Sequence, residues 1–171
     1  MQVNIMKRHI ENTLVQYLST HTVEKLRVCD VSAITGVTRS SFYRLYDMGV
    51  EELCYDVVMS VLQLNNQDFK NWQAAMDFLV TQIEARRRLF LNIYRISLVI
   101  QDNIFLKRAF LNFVCTYFNR DSFFKPVQPA HLVFFADALR WQIREWLAHD
   151  LREPGAKVRA RLEAFMLLQP S

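Results

Sequence analysis

The chain has 171 residues, enough for one full hydrophobic core or for a small domain fused to a larger one. Only three Gly and four Pro interrupt it, which favours long helices over strands and turns, and no run of about 18 uninterrupted apolar residues argues for a membrane-spanning helix. The formal net charge of +4 permits nucleic-acid binding without demonstrating it.

The first predicted helix runs from about Ile5 to Ser19. Ile10, Leu14, Tyr17 and Leu18 form one side, and Lys7, Arg8 and Glu11 the other. It is expected to cover the next two helices and complete a three-helix unit. Leu26 to Tyr46 reads as two short helices joined by a glycine turn. Val28, Val31, Ser32 and Thr35 follow helical spacing, with Asp30 well placed in the first turn. Gly36 stands where that helix must end and a left-handed backbone is cheap only for glycine. Val37 plugs the angle, and Thr38 is a good N-cap for a helix beginning near Arg39, its hydroxyl placed to accept the amide of Ser40 or Ser41. On the new helix Phe42, Leu45 and Tyr46 point inward. Arg39 and Tyr43 form one outward row, Ser40 and Arg44 another, and neither carries an acid. Such a donor-rich face suits a DNA major groove.

The run Gly36-Val37-Thr38-Arg39-Ser40-Ser41-Phe42-Tyr43-Arg44-Leu45-Tyr46 resembles the signature of the TetR family of bacterial transcription regulators. There, a helix ends in Gly-Val-Ser/Thr-Arg, followed by a small residue, Thr/Ser-Phe-Tyr and an aromatic three places on. The resemblance covers roughly the first third of the chain. It implies an all-α fold: an N-terminal three-helix helix-turn-helix DNA-binding domain over 1–49, and a C-terminal helical domain for effector binding and dimerisation over 50–171. It assigns DNA contacts to Arg27, Thr38, Arg39, Ser40, Ser41, Tyr43, Arg44 and Tyr46. The chain departs from the pattern at Asp47-Met48-Gly49-Val50-Glu51-Glu52-Leu53, which is one residue longer than usual and lacks the phosphate-binding lysine. Arg27 stands where relatives prefer a Thr cap and adds a positive charge, and Ile34 is apolar where they are polar. Residues 1 to 46 carry six Lys/Arg against Glu11, Glu24 and Asp30, but Asp47, Glu51 and Glu52 cancel that surplus at once. Any DNA-facing charge must therefore be local.

A fourth helix is predicted from Val50 to Leu64 through Leu53, Val57, Val58, Val61 and Leu62, ended by Asn65-Asn66-Gln67-Asp68; in the family this helix is the mechanical link. Five more follow: Asn71 to Arg86, Leu89 to Ile100, Asn103 to Asn119, Pro129 to His149 and Gly155 to Leu168. Asp121 to Gln128 reads as a loop and Glu153-Pro154-Gly155 as a sharp break. Of the 22 Phe, Tyr and Trp residues, 17 lie beyond residue 56. They either fill a core or line a pocket for a small apolar or aromatic effector, for which Trp72, Met76, Phe90, Tyr94, Phe113 and Tyr117 are the lining candidates.

The helix from Pro129 carries Leu132, Phe135, Ala136, Leu139, Ile143, Trp146 and Leu147, and the last carries Val158, Leu162, Phe165 and Met166. Both stripes suit ordinary intramolecular packing or, as the resemblance implies, a four-helix interface in a homodimer. Arg86-Arg87-Arg88 reads as a solvated helix junction rather than a nucleic-acid patch.

Cys29, Cys54 and Cys115 lack metal or disulfide spacing, and the four histidines show no paired spacing. No nucleophile with a base, paired catalytic carboxylates or phosphate-cradling glycine loop is legible, so neither an enzyme nor a cofactor is expected. The expectation is a cytoplasmic, homodimeric, ligand-responsive repressor of the TetR type that binds double-stranded operator DNA, with no membrane partner. The alternative is a helical protein-interaction adaptor that keeps the fold without effector or operator binding.

Overall fold

A computed structural model describes residues 2–62, 68–100, 104–118 and 129–167. Among them the chain is all-α: α1 (Gln2–Thr20), α2 (Val28–Thr35), α3 (Arg39–Tyr43), α4 (Val50–Leu62), α5 (Trp72–Ala85), α6 (Arg87–Val99), α7 (Ile104–Phe118), α8 (Pro129–Ala148) and α9 (Gly155–Leu167). No described helix is long and apolar enough to cross a membrane. The expected helix end at Asn65-Asn66-Gln67 and the expected loop from Asp121 to Gln128 lie outside the described residues.

The chain forms two compact units. The first comprises Met1–Gln63 and Arg88–Phe105, the second Leu64–Arg87 and Leu106–Ser171. In the first unit α1 packs on α2 and α4, and α2 on α3. Ile10, Leu14 and Leu18 repeat every four residues along α1, so they share one face and are fully buried with Val31, Phe42, Tyr46, Leu53 and Val57. From α6 the same unit buries Leu89, Ile93 and Ile96 together with one polar side chain, Asn92. Asn92 answers the free main-chain groups where α1 ends. Its Nδ2 donates to Leu18 O and His21 O, each at 2.7 Å, and its Oδ1 accepts from Val23 N–H at 2.9 Å. Arg88 adds a bond to Thr20 O at 2.7 Å.

In the second unit α9 packs on α5 and α8. Asn71 caps α5 by accepting Ala74 N–H at 2.9 Å, and Glu84 caps α9 by accepting Gly155 N–H at 2.7 Å. A Cβ at Gly155 would lie 2.6 Å from both Val80 Cγ1 and the Glu84 carboxylate, so glycine is needed for close approach. Between α8 and α9, Asp150 and Leu151 take positive φ values of 53° and 50°, and Trp146 Nε1 ties the link down by donating to Glu153 O at 2.8 Å.

The apolar stripe of α8, from Leu132 to Leu147, is buried within the chain, as are Val158 and Leu162 of α9. These residues serve intramolecular packing; the side chains of Phe165 and Met166 lie outside the described ones. A different face of α8 exposes Val133, Phe134 (61 %) and Trp141 (52 %). Arg86 to Arg88 fall at the junction of α5 and α6, with Arg87 and Arg88 exposed.

Candidate nucleic-acid interface

The link from α2 to α3 is built by local chemistry. Gly36 ends α2 in the left-handed region, φ 72° and ψ 4°, and its N–H returns to Ser32 O at 2.9 Å. Nothing lies within 4 Å of where its Cβ would stand, so the glycine is required by backbone angle alone. His9 of α1 reaches Thr35 O with Nε2 at 3.0 Å, acting as donor to the last carbonyl of α2. Thr38 then caps α3: Ser41 N–H donates to Thr38 Oγ1 at 3.2 Å.

α3 is short, and tighter bonding carries the chain onward. Leu45 N–H and Tyr46 N–H both return to Phe42 O, at 2.9 and 3.0 Å. Gly49, at φ 72°, then allows the turn into α4, where Glu52 accepts Met48 N–H at 3.3 Å.

Phe42 and Tyr46 are 0 % exposed, with ring centroids 5.1 Å apart, and anchor this segment in the core. Tyr43 stands edge-on against Phe42 at 5.7 Å and is 53 % exposed. Thr38, Arg39, Ser40 and Arg44 are exposed and Ser41 is half-buried. Arg44 is steadied by donating from Nη2 to Ser41 Oγ at 3.2 Å, whereas Arg39 makes no ion pair among the described residues. Arg27 is exposed but has its Nε 3.6 Å from Asp30 Oδ2, and Asp30 also accepts Arg27 N–H at 2.8 Å. Arginine has no acceptor to offer α2, so the cap is one-sided.

Tyr46, expected from the resemblance to contact DNA, is fully buried and does not fit that role. Its N–H returns to Phe42 O one helical turn back, so its side chain follows Phe42 inward, where its hydroxyl is buried. Around it lies a charged cluster that the sequence did not reveal. Lys7 Nζ is 3.1 Å from Asp56 Oδ2 and 3.5 Å from Glu52 Oε1, and 4.6 Å from the centroid of the Tyr46 ring. The Tyr46 hydroxyl makes no hydrogen bond of ordinary length among the described residues; Glu11 lies near enough to couple to it without closing one. Burial raises the Glu11 carboxyl above its ordinary range, aided by Asp56 and opposed by Lys7 and Arg8. Burial likewise raises the Tyr46 phenol, reinforced by Glu11, Asp56 and Glu52. Burial presses the Lys7 ammonium downward, but Asp56 and Glu52 outweigh it and leave it above its ordinary value. Helical spacing sets Lys7 and Glu11 on the outer side of α1, yet both are half-buried. The available signal was the pair of four-residue spacings, Lys7 to Glu11 and Glu52 to Asp56.

The effector-lining candidates divide between the two units. Trp72, Met76, Phe113 and Tyr117 are buried residues of the second; Phe90, buried, and Tyr94, half-buried, belong to the first. In the second unit Phe113 contacts Tyr117, Tyr117 contacts Phe69, and Phe69 contacts Phe78, at centroid distances of 5.1, 5.1 and 5.2 Å. These are core-packing geometries.

No group of three or more metal-ligating side chains occurs among the described residues. All three cysteines are free, and burial pushes the Cys54 thiol up to about 12, which suppresses thiolate chemistry. No protein-family model matches the chain, and no curated protein matches it.

Proposed function

We propose that this chain is a one-component, DNA-binding transcription regulator of the TetR type, acting as a homodimeric repressor. The observation that carries the reading is the division of labour on and just after α3. Phe42 and Tyr46 are locked in the core, and Arg39, Ser40, Tyr43 and Arg44 stand out from it without an acid among them. A helix held by its buried face and presenting arginine, hydroxyl and phenol groups has the chemistry to fork onto guanine and bond phosphates. Asp47, exposed immediately afterwards, confines attractive contact to the start of the segment.

Self-association is supported by the exposed face of α8. Phe134 and Trp141 are two turns apart and share a side, and Ala156, Ala160 and Ala164 form an exposed row of small residues on α9. Exposed aromatics on one helix and a row of small residues on another suit close packing against a second copy, which gives the symmetry that a palindromic site requires. Response to a small apolar effector belongs to the resemblance, and the second unit, with its Phe69, Phe78, Phe113 and Tyr117 cluster, is where that ligand would be sought.

The test is retention of double-stranded DNA from a random-sequence pool by the purified chain, repeated at raised salt. Enrichment of a two-fold symmetric sequence, weakening with salt, is expected. Failure to retain any duplex at low salt would overturn the reading and favour an interaction adaptor.

A further inference from the structure

Lys7 stands where three elements of the first unit converge. Its ammonium joins α1 to Glu52 and Asp56 of α4 and covers the ring of Tyr46 just beyond α3. The charged and titratable groups facing this point are Lys7, Arg8 and Glu11 from α1, Tyr46 from the end of the α3 segment, and Glu52 and Asp56 from α4. Three carboxylates thus surround a buried phenol, and Lys7 is the cation that contacts both the ring and two of the acids. Glu52 simultaneously holds the α3–α4 turn through Met48 N–H.

α3 spans only Arg39–Tyr43, too short to set its own direction. Its direction depends on what its two ends rest upon: the Gly36–Thr38 turn on one side and the Tyr46 cluster on the other. We propose that Lys7 is a positioning residue for the reading face, orienting Arg39, Tyr43 and Arg44 by pinning Tyr46 and the start of α4 to α1. This rests on the DNA-binding reading and deepens it. Without the ammonium, Glu52 and Asp56, one turn apart on α4, repel each other; Glu11 adds a third negative charge, and the Tyr46 ring loses its cation. Protonating Glu11, whose carboxyl burial holds above its ordinary range, removes one of these charges and relieves part of the same repulsion. Loss of Lys7 must therefore cost more at neutral than at acid pH, a dependence that lost packing alone does not produce.

The experiment uses the full chain and the duplex that wild type enriches from a random pool. Wild type, Lys7→Met, Lys7→Arg and Lys7→Met/Asp56→Asn are compared at about pH 7.5 and about pH 5.5, the lower value being nearer the ordinary carboxyl range. Each affinity is read as a ratio to wild type at the same pH, with helix content checked by circular dichroism. Lys7→Met should lose about tenfold at the higher pH, within the coupling range of contacting charges, and regain most of it at the lower. Lys7→Arg should bind nearly as wild type, and the added Asp56→Asn should restore Lys7→Met at the higher pH.

Wild-type affinity in Lys7→Met, or an equal loss at both pH values without rescue by Asp56→Asn, overturns the proposal. Should Lys7→Met fail to fold, the Lys7→Arg and double variants decide it: near wild-type binding by both supports it, and loss in both overturns it. Should wild type retain no duplex, the DNA-binding reading fails by itself. Melting of the same variants then decides the positioning role, which a pH-independent deficit would overturn and a deficit confined to neutral pH and cured by Asp56→Asn would support.

Discussion

Asn92 donates through Nδ2 to the main-chain carbonyl of Leu18 at 2.7 Å, across 74 positions of sequence. Leu18 lies in the last turn of α1, where carbonyls have no helical partner, and the same amide group serves His21 and Val23. Asn92→Leu should leave these groups unanswered and lower the stability of the first unit by about 1–3 kcal/mol. Asn92→Asp should do at least as much harm, because a carboxylate would face two carbonyl oxygens. Denaturant titration checks both, and unchanged midpoints would show that Asn92 is dispensable.

The start of the α3 segment offers a second contrast. Phe42→Ala removes a fully buried ring and should cost about 3–5 kcal/mol. Tyr43→Ala, half in solvent, should cost much less. Gly36→Ala meets no atom but must hold φ 72°, so a loss of about 1–2 kcal/mol is expected from the backbone alone. Thermal melting ranks the three, and a Phe42→Ala variant as stable as Tyr43→Ala would contradict the packing described.

Glu11 gives a pH dependence of definite sign. Its carboxyl is raised by burial and by Asp56, so the folded chain binds that proton more tightly than the unfolded chain. The stability linked to it is fully present below the ordinary value of 4.5 and is lost as pH rises through the higher folded value. Glu11→Gln should flatten this slope and stand above wild type at neutral pH. A steeper slope, or a less stable variant at neutral pH, would mean that the ionised carboxylate is welcome beside Tyr46.

The exposed face of α8 predicts that Phe134→Asp or Trp141→Asp yields a monomer with unchanged helix content, since both side chains are more than half exposed. Leu139→Asp, by contrast, should unfold the second unit, because Leu139 is buried and an unpaired charge there is costly. Sedimentation of wild type as a monomer at micromolar concentration would remove the basis for the dimer.

What the sequence disclosed was local. Gly36, Thr38, Asn71, Pro129 and Gly155 punctuate the chain by their own backbone or capping chemistry, and the helices start and stop within a few residues of where those signals stand. The buried pair Phe42 and Tyr46 was likewise legible from spacing. What escaped depends on which surface meets which. Lys7 and Glu11 look solvated until α4 brings Glu52 and Asp56 against them, and Asn92 looks ordinary until the end of α1 arrives. Helical period alone also could not decide which partner takes the α8 stripe. It proved to be the chain's own core, leaving Phe134 and Trp141 on the other side. The contact role of Tyr46 comes from the family resemblance alone and conflicts with the inward face that its four-residue spacing from Phe42 already gives it.

The most direct test of DNA reading by α3 is the affinity of Arg39→Ala and Tyr43→Ala for the duplex that wild type enriches from a random pool, measured beside their melting curves. Both variants should melt nearly as wild type and lose about tenfold or more in affinity, the size expected for groups that touch base edges or phosphates. Two stably folded variants that bind that duplex as tightly as wild type would contradict the assignment of α3 as the reading element.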